Sequence, residues 1–284
     1  MSKEKPLVSI VMNCYNGERF LKEAIDSIYS QSYDNWEIIF WNNGSTDKSI
    51  EIAKSYDNKL KYFNSIETTS LGVARNLAMQ QVSGKYVTFL DCDDLYVADR
   101  LAFQTSVMEA NNSVMCFGSW IEINDSGEFV KNHLIEASSG NFFEKLLYKY
   151  NVNFQTLMID NDFLKTNKIN FDTEITFSPD FNLVMKIALL NNISSIDNLL
   201  AKYRVHSNSM THKYQLDKYN DFNLTIKKLE DNGASDKYPK FKYLASAMLY
   251  RMKYRDYMKS NRYFFAFMSL LCFILLRSSV IFIK

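Results

Sequence analysis

The chain has 284 residues, 47% of them hydrophobic, with 33 Lys and Arg against 32 Asp and Glu and a formal net charge of +1. That composition excludes general disorder, and three prolines and eight glycines exclude low-complexity and collagen-like chains, while the length suits one large domain plus an appendage. The neutral sum hides a split: residues 237–284 hold ten basic residues and one acidic residue, Asp256, for +9, and residues 1–236 carry −8, so one part is expected to meet a charged partner.

In chain order, residues 1–6 are charged and lack an apolar stretch, so no signal peptide is expected. Residues 7–12 form a short apolar run that reads as a buried strand, followed by an Asn16-Gly17 turn. Phe20, Leu21, Ala24, Ile25 and Ile28 recur at helical spacing within 18–31. Residues 36–41 read as a second strand closed by Asn42-Asn43-Gly44-Ser45, and Thr46 is placed to cap a helix over 47–56. A third strand over 60–64, a helix over 72–82 and a fourth strand over 86–90 follow, ending at Asp91-Cys92-Asp93-Asp94. This β-α-β-α-β-α-β order predicts an α/β fold with a Rossmann-like, mostly parallel central sheet and helices on both faces. Ligands bind such sheets outside the carboxyl ends of the strands. The polar clusters at 13–16, 42–45 and 91–94 all fall there.

Further on, 99–115 reads as a helix, and 115–123 with 129–134 as a hairpin around Asn124-Asp125-Ser126-Gly127. A helix over 142–150, a strand over 155–159, a helix over 161–166, a helix over 181–190 after Pro179 and a last strand over 196–205 come next. Helices over 219–229, 243–257 and 263–276 close the chain, which gives a domain over 1–210 and a C-terminal helical segment over 211–284. Cys14, Cys92, Cys116 and Cys272 lack CxxC spacing, so neither a zinc site nor a disulfide is expected, and a reducing cytosol is the simplest setting.

Three carboxylates in the four residues 91–94 repel one another unless a cation or hydrogen-bond donors neutralise them. Oxygen ligands favour Mg²⁺ or Mn²⁺, whose shell substrate phosphates would complete. The competing reading is an acidic loop capping the helix at Asp99; placement after a buried strand, beside the other clusters, favours the metal.

The runs Val8-Ser9-Ile10-Val11-Met12-Asn13-Cys14-Tyr15-Asn16-Gly17, Asn42-Asn43-Gly44-Ser45-Thr46-Asp47, Gly72-Val73-Ala74-Arg75-Asn76 and Phe89-Leu90-Asp91-Cys92-Asp93-Asp94 closely resemble the family-two glycosyltransferases of the GT-A fold. Order and spacing match over about residues 6–103, thin over 104–170, and return at Ser178-Pro179-Asp180-Phe181 and at Tyr203-Arg204-Val205-His206-Ser207-Asn208-Ser209. The resemblance implies transfer of a sugar, with inversion, from a nucleotide-sugar donor of UDP type to an acceptor hydroxyl. It places Asn13, Tyr15, Asn16 and Asn43 at the nucleoside, Arg75 and Arg204 at the diphosphate, Asp91 at the ribose and metal, and Asp93 and His206 on the metal. Asp180 aligns with the aspartate of the family's Glu-Asp motif and is the expected base; Asp172 and Glu174 are the fallback. Pro179 stands where that motif has Glu, and Asn42-Asn43 where an acidic residue is usual; an amide both accepts and donates. Asp180 has a simpler competing role, stabilising its own helix N-terminus. A surface polysaccharide or lipid-linked oligosaccharide is the implied acceptor.

Residues 263–276 are a run of fourteen with one mildly polar member, too short to cross a bilayer, and 237–262 hold eight basic residues and one acidic. An interfacial helix at an anionic membrane surface is expected, hence a peripheral position on the inner face of the cell membrane. A helical hairpin with 263–276 packed on Leu244, Met248 and Met252 is compatible with it. No RNA-binding motif accompanies the basic run, so nucleic acid is not expected. Two other functions compete: a module of the same fold that binds the nucleotide sugar without catalysis, and a nucleotidyltransferase, which needs a Gly-rich phosphate loop that residues 13–17 lack.

Overall fold

The computed structural model describes residues 4–65, 67–206 and 215–281. The chain falls into two compact units, the first of Met1–Gly140, Val152–Thr173 and Asn192–His206, the second of Asn141–Asn151, Glu174–Asn191 and Ser207–Lys284. The second unit thus collects two earlier stretches as well as the tail. The boundary expected at residue 210 and the Ser207-Asn208-Ser209 end of the last motif lie outside the described residues.

The first unit holds β1 (Val8–Cys14), α1 (Leu21–Tyr29), β2 (Trp36–Asn42), α2 (Ser49–Lys54), β3 (Leu60–Asn64), α3 (Leu71–Met79), β4 (Tyr86–Phe89), β5 (Leu95–Tyr96), α4 (Arg100–Asn111), β6 (Met115–Ile123), β7 (Phe129–His133) and β8 (Ser138–Gly140). A 3-10 turn at Phe154–Thr156, then β9 (Met158–Asp160), α6 (Asn161–Thr166) and β10 (Ile193–Arg204) complete it, with α5 (Phe143–Tyr148) in the second unit. The sheet runs β3-β2-β1-β4-β9-β6-β10-β5, with β7 beside β6 and β8 beside β10. β3, β2, β1, β4, β6 and β10 point one way; the short strands β5, β7, β8 and β9 oppose them. The sheet is therefore mostly parallel, as the βα alternation predicts.

The period-2 alternation of the strands makes two cores. Val8, Ile10, Met12 and Cys14 of β1, with Trp36, Ile38 and Phe40 of β2, pack on Leu21, Ala24, Ile25 and Ile28 of α1. Val11, Ile39, Val87 and Phe89 are equally buried but lie outside that cluster, on the face that α3 covers. Glu37 is buried among these strands at 5% exposure, and accepts from Ser9 Oγ (2.5 Å), Ser83 Oγ (2.7 Å) and Lys61 Nζ (2.5 Å).

Two local expectations are corrected. Thr46 does not cap α2: Lys48 holds that position, and the Asp47 carboxylate instead accepts from Ser49 N (3.0 Å) and Glu18 N (2.9 Å). The strand expected over 155–159 begins only at Met158, because Asn153 Oδ1 accepts from Gln155 N (2.8 Å) and starts a 3-10 turn.

The second unit, besides α5, contains α7 (Pro179–Leu190), α8 (Gln215–Asp231), α9 (Ala234–Lys237), α10 (Phe241–Lys259) and α11 (Tyr263–Ile281). Phe241, Leu244, Ala245, Ala247 and Met248 of α10 are buried, and α10 packs on α5, α8 and α11. On α11, Ala266 and Ser269 are buried, while Phe264, Phe267, Met268, Leu271, Ile274 and Leu275 are exposed. No described helix is long and apolar enough to cross a membrane.

Candidate functional site

The carboxyl ends of β1, β2 and β4 lie side by side: Asn13 faces Trp41 and Cys14 faces Asn42 in register, and Val11 faces Phe89. The loops after β1 and β2 are tied together. Asn16, at φ 53°, donates its backbone N–H to Ser45 Oγ (3.0 Å) and accepts from Thr46 N with its amide oxygen (2.8 Å). Gly17 N donates to Ser49 Oγ (2.9 Å). A side chain at Gly17 would meet Cys92 Cβ at 2.9 Å, so only glycine lets the β1 loop pass this close to the acidic loop after β4.

Of the residues expected at the nucleoside, Tyr15 is 58% exposed, and the Asn13 amide nitrogen is buried without a hydrogen-bond partner among the described residues, as is the indole nitrogen of its neighbour Trp41. Asn43 is already engaged. Its amide donates to Thr69 O (2.8 Å) and accepts from Thr69 N (3.1 Å) and Thr69 Oγ1 (3.0 Å).

Arg75, on α3, is 4% exposed and lies over the rings of Phe154 (3.9 Å) and Phe171 (5.5 Å), with Nη2 3.2 Å from Asp91 Oδ1. Phe171 is held by Asn76, the next residue of α3, through its N–H (2.9 Å) and carbonyl (2.8 Å). The other Asp91 oxygen accepts from Gln155 Nε2 (2.6 Å), and Asp91 N donates to Gln155 Oε1 (2.9 Å).

Burial, then the charge of Asp91, pushes the Asp93 carboxyl above the usual range; His206 pulls it back. Asp93 Oδ2 lies 2.9 Å from His206 Nε2, whose ring packs near Phe20. Asp94 is 1% exposed; Oδ1 accepts from Arg204 N (2.7 Å) and Oδ2 is buried without a partner among the described residues. Burial and the flanking carboxylates drive it well toward the protonated form.

Arg204 turns out to be a brace. At 2% exposure, its guanidinium donates to Asp93 O (2.9 Å), Asn124 O (3.2 Å), Asp125 O (3.1 Å) and Glu23 Oε2 (2.7 Å), and stacks on Phe20. Every nitrogen of the group expected at the diphosphate donates within the chain.

The acidic loop thus gathers Asp91, Asp93, Arg75 and His206 in the first unit. Asp91 and Asp93 side chains are 38% and 34% exposed, and their mutual repulsion is what a divalent cation relieves, so the donor set fits one. Among the described residues, however, no group of three or more His, Cys, Asp and Glu is arranged to hold a metal ion. His206 meets Asp93 directly instead.

Asp180 lies in the second unit, half-buried in the first turn of α7, where it faces the buried Tyr150 hydroxyl and the Lys218 ammonium. Glu174 is exposed and paired with Lys228 at 2.5 Å. Asp172 is partly buried beside α3 in the first unit.

Sequence reasoning missed Gln155, which read as a strand residue, and Glu23, which it did not single out. Neither carries a local signal, because the partners lie 64 and 181 residues away.

Residues 9–169 match the family described as Glycosyl transferase family 2. An uncharacterised glycosyltransferase of Rickettsia felis is 30% identical over 267 residues, 91% of this chain and 43% of that protein; the chain spans under half the length of this relative. The UDP-Glc:alpha-D-GlcNAc-diphosphoundecaprenol beta-1,3-glucosyltransferase WfgD of Escherichia coli is 30% identical over 72% of this chain and 79% of its own. Among solved structures, S. aureus TarS 1–349 in complex with UDP-GlcNAc matches with a TM-score of 0.69 at 20% identity, over 88% of this chain and 72% of that one. The mannosyltransferase PcManGT of Pyrobaculum calidifontis, in complex with GDP-Man and Mn²⁺, matches with a TM-score of 0.62 at 17% identity, over 87% and 72%. These likenesses establish the GT-A fold.

Proposed function

The chain belongs to glycosyl transferase family 2, and we propose that it is an inverting, metal-dependent glycosyltransferase. In this reading it moves a hexose from a UDP-sugar to a hydroxyl of a lipid-linked or surface saccharide. The placement of Asp91 and Asp93 at the carboxyl edge of β4, with Arg75 3.2 Å from Asp91, carries this conclusion. A half-exposed acidic pair beside a buried arginine on an aromatic floor suits a donor whose diphosphate is negative and whose ribose is a hydrogen-bonding diol. The E. coli relative, named for UDP-Glc and a diphosphoundecaprenol acceptor, supports the donor and acceptor class.

In this scheme Asn13 Nδ2 and Trp41 Nε1, both buried with no partner among the described residues, donate to the nucleoside, and Tyr15, Asn16 and Asn43 shape the pocket wall. Arg75 swings one fork of its guanidinium to the diphosphate while Gln155 keeps Asp91 in place. Asp91 and Asp93 would hold Mg²⁺ or Mn²⁺, with His206 orienting Asp93; bound there, the cation neutralises charge growing on the leaving diphosphate. Arg204 keeps the loop in shape. Asp180, assigned on the sequence pattern alone, takes the proton of the attacking acceptor hydroxyl. The exposed apolar face of α11 and the basic residues before it dock the enzyme on an anionic membrane at its inner face, where a lipid-linked acceptor resides.

The test is a panel of UDP-Glc, UDP-GlcNAc and GDP-Man with purified protein and lipid-linked acceptor, with and without Mn²⁺ or Mg²⁺. Transfer from one donor, dependent on the cation and lost in Asp93→Ala, is expected. Tight binding by calorimetry with no transfer or hydrolysis on any donor would identify a binding module instead.

A further inference from the structure

We infer that Asp221 is the positioning residue that sets the place of Asp180, an inference that rests on the base role proposed above. A helix start leaves backbone N–H groups that need acceptors. At α7 the residue before the helix, Ser178, makes no side-chain cap bond, and Pro179 has no N–H to offer. The approach to the helix is served from elsewhere. Asp221, 7% exposed on α8, accepts from Phe177 N (2.5 Å) and Ser178 N (2.8 Å) with one oxygen and from Thr176 N (3.4 Å) with the other.

The same face of α8 fixes the turn beyond. Phe222 stacks on Phe181 at 3.9 Å and 8°, and Thr225 Oγ1 accepts from Asn182 Nδ2 at 3.3 Å. Lys218, one turn earlier at the spacing that shares a helix face, lies within electrostatic reach of Asp180. Positions 218, 221, 222 and 225 of α8 therefore bracket residue 180 on both sides, backbone before it and side chains after it.

The three N–H groups that Asp221 accepts from belong to the residues just before α7, so Asp221 holds the chain where it enters the helix. Asp221 thereby fixes the backbone that carries Asp180, whose side chain lies toward Tyr150 and Lys218. Among the described residues, charged and titratable groups near Asp180 include the Tyr150 hydroxyl, the Lys218 ammonium and, through the backbone, the Asp221 carboxylate; Lys259 adds its charge near Lys218.

The experiment compares the unaltered chain with Asp180→Asn, Asp221→Asn and Asp221→Leu, using the nucleotide sugar of the panel that the unaltered chain turns over. Folded fraction is read by circular dichroism at the assay temperature, and kcat per folded molecule is followed against pH. Misplacing a catalytic group by about 1 Å costs about 10²-fold. The Asp221 variants should keep the donor KM within about twofold, lose about 10- to 100-fold in kcat, and flatten the acid limb of the pH profile, because transfer no longer waits on an ionised Asp180. Asp221→Asn keeps the shape if Asp221→Leu fails to fold. Unchanged kcat per folded molecule and an intact acid limb in Asp221→Asn, with Asp180→Asn inactive, overturn the positioning role alone. An active Asp180→Asn overturns the base as well. No turnover by the unaltered chain on any donor overturns the glycosyltransferase reading from which both follow.

Discussion

Gln155 holds Asp91 at two points, donating from Nε2 to the carboxylate at 2.6 Å and accepting the backbone N–H at 2.9 Å. The clamp fixes both the height of the acidic loop and the rotation of the Asp91 side chain, which leaves the oxygen nearer Arg75 in place. Gln155→Leu strands the Asp91 N–H in a partly buried position. The expected outcome is a loss of about 1–3 kcal/mol in stability by chemical denaturation and about tenfold or more in transfer rate. Wild-type turnover in this variant would remove Gln155 from the site.

Asp93 sits where burial and the charge of Asp91 disfavour its ionised form. Asp93→Asn keeps the shape and removes one of the repelling charges. The cation-free protein should then unfold at a higher temperature, by roughly 2 °C, while Mn²⁺-dependent transfer disappears. Scanning calorimetry in chelator, paired with the transfer assay, reads both; a lowered unfolding temperature contradicts the repulsion.

Glu37 responds to pH in the opposite sense. Burial raises its carboxyl, but the Lys61 ammonium and the hydroxyls of Ser9 and Ser83 outweigh that and hold it below the usual glutamate range. A folded-state value below the unfolded one adds stability at neutral pH, which is lost as pH falls below about 4.3 and through the lowered value. Glu37→Gln should cost about 1–3 kcal/mol at pH 7 and weaken the acid dependence of denaturant midpoints. Parallel pH curves for the two proteins would exclude this network as its source.

The exposed face of α11 makes the membrane proposal testable without truncation, which would strip α10 from α5 and α8. Phe264, Phe267 and Ile274 are 71%, 59% and 52% exposed, so changing all three to Ser should leave stability within about 0.5 kcal/mol per site. Cosedimentation with vesicles containing anionic phospholipid should fall by an order of magnitude or more, and binding by the unaltered chain should weaken with salt. Equal recovery of the two proteins sinks the docking face.

Much of the first unit was legible because buried parallel strands are continuous apolar runs, as in β1 and β2, and because their polar ends mark the ligand edge. Asn13, Asp91 and Asp93 stood in such ends, and Arg75 in the helical motif before β4. Less legible were residues whose role depends on distant partners. Arg204 looked like a phosphate ligand, and only folding brings Glu23 and Asn124 to its guanidinium. Asn43 looked like a base contact, and only the turn before α3 shows that Thr69 occupies it. The assignment of 155–159 as a strand failed for a local reason: the Asn153 side chain competes for a backbone N–H and bends the chain into a 3-10 turn.

Arg204 has one more consequence, in the time domain of synthesis. Its backbone N–H closes on Asp94 across 110 residues of chain, and its side chain closes on the neighbouring carbonyl of Asp93. At translation rates of about 5–20 residues per second, the three carboxylates leave the ribosome roughly 5–20 s before the strand that braces them. Through that interval the nascent loop carries its charge unbraced. Any truncated product that stops short of β10 therefore keeps its acidic loop without this brace, however complete its early strands.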